Sequence, residues 1–422
     1  MGTISSRLKT LIKNARLAYD DVRLTFSETF LGERELGKVP ASRFRNGIVI
    51  VTPNEVNDRH GTGVILLRCF EGIPDILSIR STDLYNGHAF GDFAIRLDHQ
   101  GLPRVESYRR LLHSLEGNSF RYALCVPYYP DELITAIVLK EAFGAKLCVY
   151  LMDDNHLISG QIPEALMREA LEKADLRLAI SSEMRDAYEE KFRLKFWLRP
   201  PVVTPASVAT VPRLPSKEAL SRRQGIVVGS LWSAQALNRL AATVRDASLL
   251  VDWFGNANAP WLQYDINELA AKGVTVRGFL AEAKLAQKIQ DYAFALVPSG
   301  TLDADDERIS IAKYSLPTRM AFLLAVGNIP TIVLGSRETA AAGFVERFGL
   351  GEVVAYSGAD LRKAVGKLCS PSIQADIRKR AAELAGNFSA RGVGQWILEA
   401  MDAGKPGDDR FERLMPRTER LR

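Results

Sequence analysis

The chain has 422 residues, 47% hydrophobic and 25% charged. That globular composition excludes a disordered or collagenous chain and fits two domains. A net charge of +5 is too weak for a nucleic-acid binder, and no apolar run approaches the ~18 residues of a membrane span.

The charge is uneven. Residues 1–203 carry 27 Lys+Arg against 27 Asp+Glu, and residues 204–422 carry 28 against 23, a balance that suits a phosphorylated small ligand on the second half. Cys69, Cys125, Cys148 and Cys369 form no CxxC pair. They read as thiols of a reducing compartment and, with no apolar signal core at the N-terminus, as part of a cytoplasmic protein. The first helix carries Ile4, Leu8, Leu11, Ile12 and Ala15 on one face and Arg7, Lys9, Lys13 and Arg16 elsewhere. Such a helix packs on its own domain or makes a peripheral contact with the inner face of a membrane.

Short apolar runs alternate with helical patterns, which predicts parallel α/β domains. In the first half the strands are Gly47–Pro53, Asp75–Ser81, Tyr122–Pro127, Lys146–Met152, Leu176–Ser181 and Lys195–Leu198, with helices over Pro130–Phe143, Pro163–Ala174 and Glu183–Phe192. The prolines of Arg199–Pro205, with Pro212 and Pro215, then break the pattern. In the second half strands are expected at Gly225–Leu231, Leu249–Phe254, Val274–Arg277, Ala293–Val297, Ile329–Leu334 and Glu352–Tyr356. The division is an N-terminal domain over 1–203 with a lead-in over 1–45, a linker over 204–224, and a C-terminal domain over 225–390. A returning helix and polar tail fill 391–422, and the tail from Gly404 reads as solvated.

Three segments carry chemistry. The loop His60-Gly61-Thr62-Gly63 after the first strand lets the backbone pass close to an anion at the start of a helix near Val64. The third glycine of a dinucleotide fingerprint falls on Leu66, which disfavours that reading. At the end of a strand, Asp153-Asp154-Asn155-His156 offers carboxylates and an imidazole that can act as a base or bind hydroxyls, with no spacing that defines a metal site. In the third segment Ser299-Gly300 ends a strand, and Lys313, Ser315, Leu316, Pro317, Thr318 and Arg319 follow at a helix start. Ser315 is the expected cap, and the cations form an anion cradle.

The order of elements resembles the two-domain GT-B glycosyltransferases, particularly their retaining nucleotide-sugar branch. The resemblance rests on the Gly61/Gly63 loop, on Ala179–Arg185 followed by Leu198–Val203, on Val228–Leu231, and most specifically on Ser315–Pro330 with its Ala-x-Gly-x-Pro ending. It implies two Rossmann-like domains facing a cleft, with a C-terminal helix returning to the N-terminal domain. It also implies a nucleotide-diphosphate sugar as substrate, no obligatory metal, and a glycan or lipid-linked acceptor in polysaccharide biosynthesis.

The resemblance assigns the diphosphate to Gly61, Thr62, Gly63, Ser299, Gly300, Lys313, Ser315, Leu316, Thr318 and Arg319. Asp153, Asp154 and His60 are the catalytic candidates, and Asn155 and His156 face the acceptor. The family's glutamate pair falls on Tyr314 and Phe322, while acids stand upstream at Asp303, Asp305, Asp306 and Glu307. Two other readings stay open: a nucleotide-sugar epimerase of the same fold, and a non-catalytic module that binds a glycan or partner.

Overall fold

A computed structural model describes residues 37–417 except 86, 89, 100 and 260. The amphipathic N-terminal helix expected from the sequence lies outside the described residues.

The described residues form two sheets, both wholly parallel. The first holds β1 (Gly47–Thr52), β2 (Ile76–Arg80), β3 (Phe93–Arg96), β4 (Phe120–Cys125), β5 (Lys146–Leu151), β6 (Leu176–Ala179) and β7 (Trp197–Leu198), in the order β3-β2-β1-β4-β5-β6-β7. The second holds β8 (Gly225–Val228), β9 (Val251–Phe254), β10 (Val274–Gly278), β11 (Phe294–Pro298), β12 (Thr331–Leu334) and β13 (Gly351–Val354), in the order β10-β9-β8-β11-β12-β13. Strands such as β1, with all six residues buried, read as unbroken apolar runs because helices cover both faces.

Helices of the first half are α1 (Gly61–Phe70), α2 (Arg104–Ser114), α3 (Pro130–Ala142), α4 (Glu164–Lys173) and α5 (Ser182–Phe192). The second half contributes α6 (Lys217–Arg222), α7 (Ala234–Ala247), α8 (Ile266–Ala271), α9 (Glu282–Lys288), α10 (Ile309–Tyr314), α11 (Thr318–Ala325), α12 (Ala340–Phe348) and α13 (Gly358–Leu368). The chain ends with α14 (Pro371–Ala385), α15 (Val393–Ala403) and α16 (Arg410–Leu414).

Each sheet reverses its order once, between β1 and β4 in the first and between β8 and β11 in the second. Open parallel sheets leave a crevice at the carboxyl ends of such strands. Here the two crevices face one another and merge into one cleft of about 930 Å³. Its hinge end is crossed twice by the chain. Val203 of the outgoing connection receives a hydrogen bond from Ala390 of the returning one and donates to Phe388 (2.9 and 2.8 Å). The returning α15 packs on α1 and β5.

The structure adds β3 and α2 in the first half and the six-residue helices α6, α8 and α10 in the second to the expected elements. β3 is a four-residue edge strand and α2 is rich in arginine, so neither gives a strong apolar period. The C-terminal helical stretch breaks at Gly386–Gly392. The polar tail is not solvated through residue 417. Phe411 and Met415 are buried, Phe411 packs edge-on against Trp396, and Glu412 takes an ion pair from the buried Arg185 at 2.6 Å. The period of two or three apolar residues among charges was too sparse to announce that docking.

Candidate functional site

α1 begins at Gly61, three residues before the expected start, because His60 caps it. His60 Nδ1 accepts from Gly63 N (3.3 Å), and Nε2 donates to the Glu55 carbonyl (2.7 Å). Both ring nitrogens are therefore engaged, burial lowers the imidazole below its ordinary range, and the ring stacks on Tyr85 at 4.6 Å. His60 lines the cleft but is held as a neutral cap, with no free nitrogen to act as base.

Gly63 answers to the loop itself, since a Cβ there would lie 2.2 Å from the Asn57 carbonyl oxygen. Gly61 answers to the other domain: a Cβ would press on Thr318 Oγ1 at 2.6 Å. The starts of α1 and α11 thus meet across the cleft. First-turn N–H groups of a helix have no intrahelical partner and carry partial positive charge, so two such ends in contact attract an anion between them.

α11 starts at Thr318, with Pro317 in the capping position and no side-chain cap. Ser315 is not the cap; it closes the preceding α10. Its hydroxyl is buried without a hydrogen bond of ordinary geometry, as are Ser299 Oγ and Arg319 Nη1. The Arg319 guanidinium donates once, from Nη2 to the Ser230 carbonyl, and lies over Gly229 at the end of β8. Burial lowers its pKa to about 10. No carboxylate pairs with it among the described residues, an arrangement that costs stability unless an anion arrives.

Lys313, by contrast, is absent from the cleft wall, and its Nζ lies 5.6 Å from the Tyr314 ring centroid. Leu316 and Thr318 line the cleft, whereas Ser299 and Gly300 line a small adjoining recess with Arg239 and Tyr356. Thr62 Oγ1 hydrogen-bonds Tyr128 OH at 3.0 Å.

The acidic segment after β5 separates into two roles. Asp154 faces inward and is saturated. It accepts from His156 N (3.2 Å), Leu157 N (2.7 Å), Ile158 N (2.9 Å) and Tyr188 OH (2.9 Å). His156 Nδ1 donates to the Ile162 carbonyl (2.8 Å), and Asn155 Nδ2 reaches the Pro127 carbonyl (3.3 Å). These three side chains brace the loop and do not reach the cleft wall.

Asp153 does reach it. Tyr128 OH donates to its Oδ2, and the Ser315 hydroxyl lies beside it from the other domain. Burial raises the Asp153 pKa, while those two hydroxyls pull it back. A half-buried carboxylate of raised basicity, lining the same cleft as an unpaired cation, can take a proton from a hydroxyl while the cation receives an anion.

No family model and no curated protein matches the chain. Solved structures do. The chain is similar to sucrose-phosphate synthase from Thermosynechococcus elongatus, with a TM-score of 0.57 and 13% identity over 85% of this chain and 99% of that one. It is similar to OtsA in its apo form (TM-score 0.54, 11% identity, 84% and 99% covered) and to MurG of Acinetobacter baumannii (0.51, 10%, 85% and 99%). The chain has the GT-B glycosyltransferase fold.

Within this GT-B fold, sequence reasoning missed four cleft residues that the structure brings together: Tyr128, Tyr85, Arg68 and Glu282. Tyr128 was legible in principle, since Pro127-Tyr-Tyr-Pro130 ends β4 at the reversal point. Arg68 and Glu282 carried no local signal, because their pairing spans 214 positions. Among the described residues, no group of three or more His, Cys, Asp or Glu side chains is placed to hold a metal, and no helix is long and apolar enough to cross a membrane.

Proposed function

We propose that the protein transfers a sugar from a nucleotide-diphosphate donor to a hydroxyl of a glycan or lipid-linked glycan acceptor. The observation that carries this reading is Arg319, a buried cation with an orphaned Nη1, next to the abutting starts of α1 and α11. Those groups together match a diphosphate.

Asp153 takes the proton of the acceptor hydroxyl as its oxygen attacks the anomeric carbon. The bond from that carbon to the diphosphate breaks, and the nucleoside diphosphate leaves with the electron pair. Arg319 and the helix N–H groups stabilise the charge that develops. Tyr128, by its hydrogen bond, positions the Asp153 carboxyl. Tyr85 and Tyr129 on the first domain's wall offer flat faces for an acceptor sugar.

Thermal unfolding with millimolar UDP, GDP, ADP, CMP and TDP tests the reading. A ligand at about 100 times its Kd adds about 2.7 kcal/mol, a shift of several degrees. One nucleotide should raise the midpoint, and Arg319→Ala should weaken its binding by about 1.5–3 kcal/mol. No shift with any nucleotide would remove the proposal. Conversion of the donor sugar without acceptor would replace transfer by epimerisation.

A further inference from the structure

Glu132, in the first turn of α3, is a carboxylate only 1% exposed. Its Oε2 accepts from two consecutive main-chain groups, Tyr128 N at 3.0 Å and Tyr129 N at 2.6 Å. Its Oε1 accepts from the Ser81 hydroxyl, which also lies 3.1 Å from the Pro53 carbonyl. A capping-box glutamate needs only the N–H of the capping residue, here Tyr129. Glu132 goes further. Its remaining bonds tie together the residues that follow β2, β1 and β4, which lie side by side in the sheet.

That tie ends at the reacting groups. One oxygen holds the N–H groups on both sides of the Tyr128 Cα, which fixes the direction its side chain takes. The Tyr128 hydroxyl donates to Asp153 Oδ2 after β5. Its proton is then committed, so Thr62 Oγ1, 3.0 Å away, is the donor of the second bond. Thr62 lies in the first turn of α1. A single phenol therefore joins the candidate base to the helix start that faces the other domain.

A carboxylate that loses a hydrogen bond from a hydroxyl becomes a less stable anion. Removing the brace under Tyr128 thus reaches Asp153 without touching it. The groups that act on Asp153 directly are Tyr128, the Ser315 hydroxyl, Asp154 and Arg308, and Tyr85 after β2 feels its charge. Of these, Glu132 holds Tyr128 alone.

We propose that Glu132 is a positioning residue of the transfer reaction: by pinning the chain at Tyr128 it keeps the Tyr128 hydroxyl on Asp153, and so keeps that carboxylate ionised and oriented to receive the acceptor's proton. This rests on the transfer reading above, in which Asp153 is the base.

Carbon-13 NMR of aspartate-labelled protein, without any ligand, follows the titration of the Asp153 carboxyl, and Asp153→Asn assigns its signal. Tyr128→Phe should raise the titration midpoint by about one pH unit or more, the usual effect of losing a hydrogen bond to a charged group. Glu132→Ala should raise it comparably. The two changes together should raise it no further than Tyr128→Phe alone, since both act through one phenol. Glu132→Gln keeps an acceptor for both N–H groups and a donor for Ser81, so its midpoint should stay within a few tenths of a pH unit of the wild type. An unmoved midpoint in Tyr128→Phe or Glu132→Ala, additive shifts in the double variant, or the full shift in Glu132→Gln would each overturn the proposal. Should Glu132→Ala not fold, Ser81→Ala cuts one arm only and should move the midpoint in the same direction; an unmoved midpoint there would overturn it as well. The titration uses no nucleotide, so failure of this link is distinct from failure of the transfer reading, which would show as no nucleotide binding or as full turnover in Asp153→Asn.

Discussion

The two domains treat the polar side chains around the cleft in opposite ways. On the first domain's side, Asp154, Asn155, His156 and His60 sit at strand or loop ends with their hydrogen-bonding atoms taken up by backbone and by Tyr188. On the second domain's side, Ser299 follows β11 and Arg319 lies in the first turn of α11, and Ser299 Oγ and Arg319 Nη1 are buried without partners. Native proteins leave few such atoms unsatisfied. The difference teaches that a cluster of chemically able residues is not thereby a site. The satisfied cluster shapes the loop, and the unsatisfied one awaits a ligand. Asp153 is the exception on the first wall, since it faces the cleft and shares its proton environment with Tyr128 and Ser315.

Three substitutions, one of them read in two ways, sharpen or break that contrast. The largest effect is expected for Asp153→Asn, which should lower kcat by about 10²–10⁴ while nucleotide affinity stays within a few-fold. Unchanged turnover would remove Asp153 from the chemistry. Next is Asp154→Ala, which strands four donors and should cost roughly 3 kcal/mol of stability by denaturant unfolding. A neutral result would show that the loop does not depend on its brace.

Glu132 follows. It accepts from Tyr128 N and Tyr129 N, is contacted by Ser81 Oγ, and burial pushes its pKa up to about 7 from 4.5. A raised folded pKa means that the folded state prefers the protonated form. That stability is fully present below about pH 4.5 and is lost as pH rises through about 7. Glu132→Gln should flatten this part of the stability–pH curve, a change on the order of 3 kcal/mol. A curve of unchanged slope would reassign the titration.

The smallest effect is on the stability of Asp153→Asn, whose raised carboxyl pKa carries the same sign. Removing that buried charge should stabilise the fold by about 1 kcal/mol near neutral pH, the usual trade between activity and stability. A destabilised variant would mean that the Tyr128 hydrogen bond outweighs the burial cost.

Most of the fold was legible because strands covered on both faces are continuous apolar runs, and β1, β8 and β11 stand out for that reason. Strand order was not, since no local period encodes which strand lies beside which. That hid the reversal between β1 and β4, which sets Thr62 of the loop after β1 against Tyr128 after β4. Asp153 and Asp154 could not be told apart in the sequence either. Adjacent residues leaving a strand point to opposite sides, and only the packing of Tyr188 decides which side is wet. The cap at Ser315 failed for a definable reason: Pro317 holds the chain extended before it, so the helix starts one step beyond the proline. Lys313 was named for its charge alone, and charge does not report direction.

Calorimetric titration of inorganic pyrophosphate into wild-type protein, Arg319→Gln and Lys313→Gln tests the central claim most directly, because it isolates the anion from the nucleoside. If the unpartnered groups are the anion site, pyrophosphate binds the wild type and Lys313→Gln alike and loses about 10-fold or more in Arg319→Gln. Binding that survives in Arg319→Gln and falls in Lys313→Gln would contradict the account.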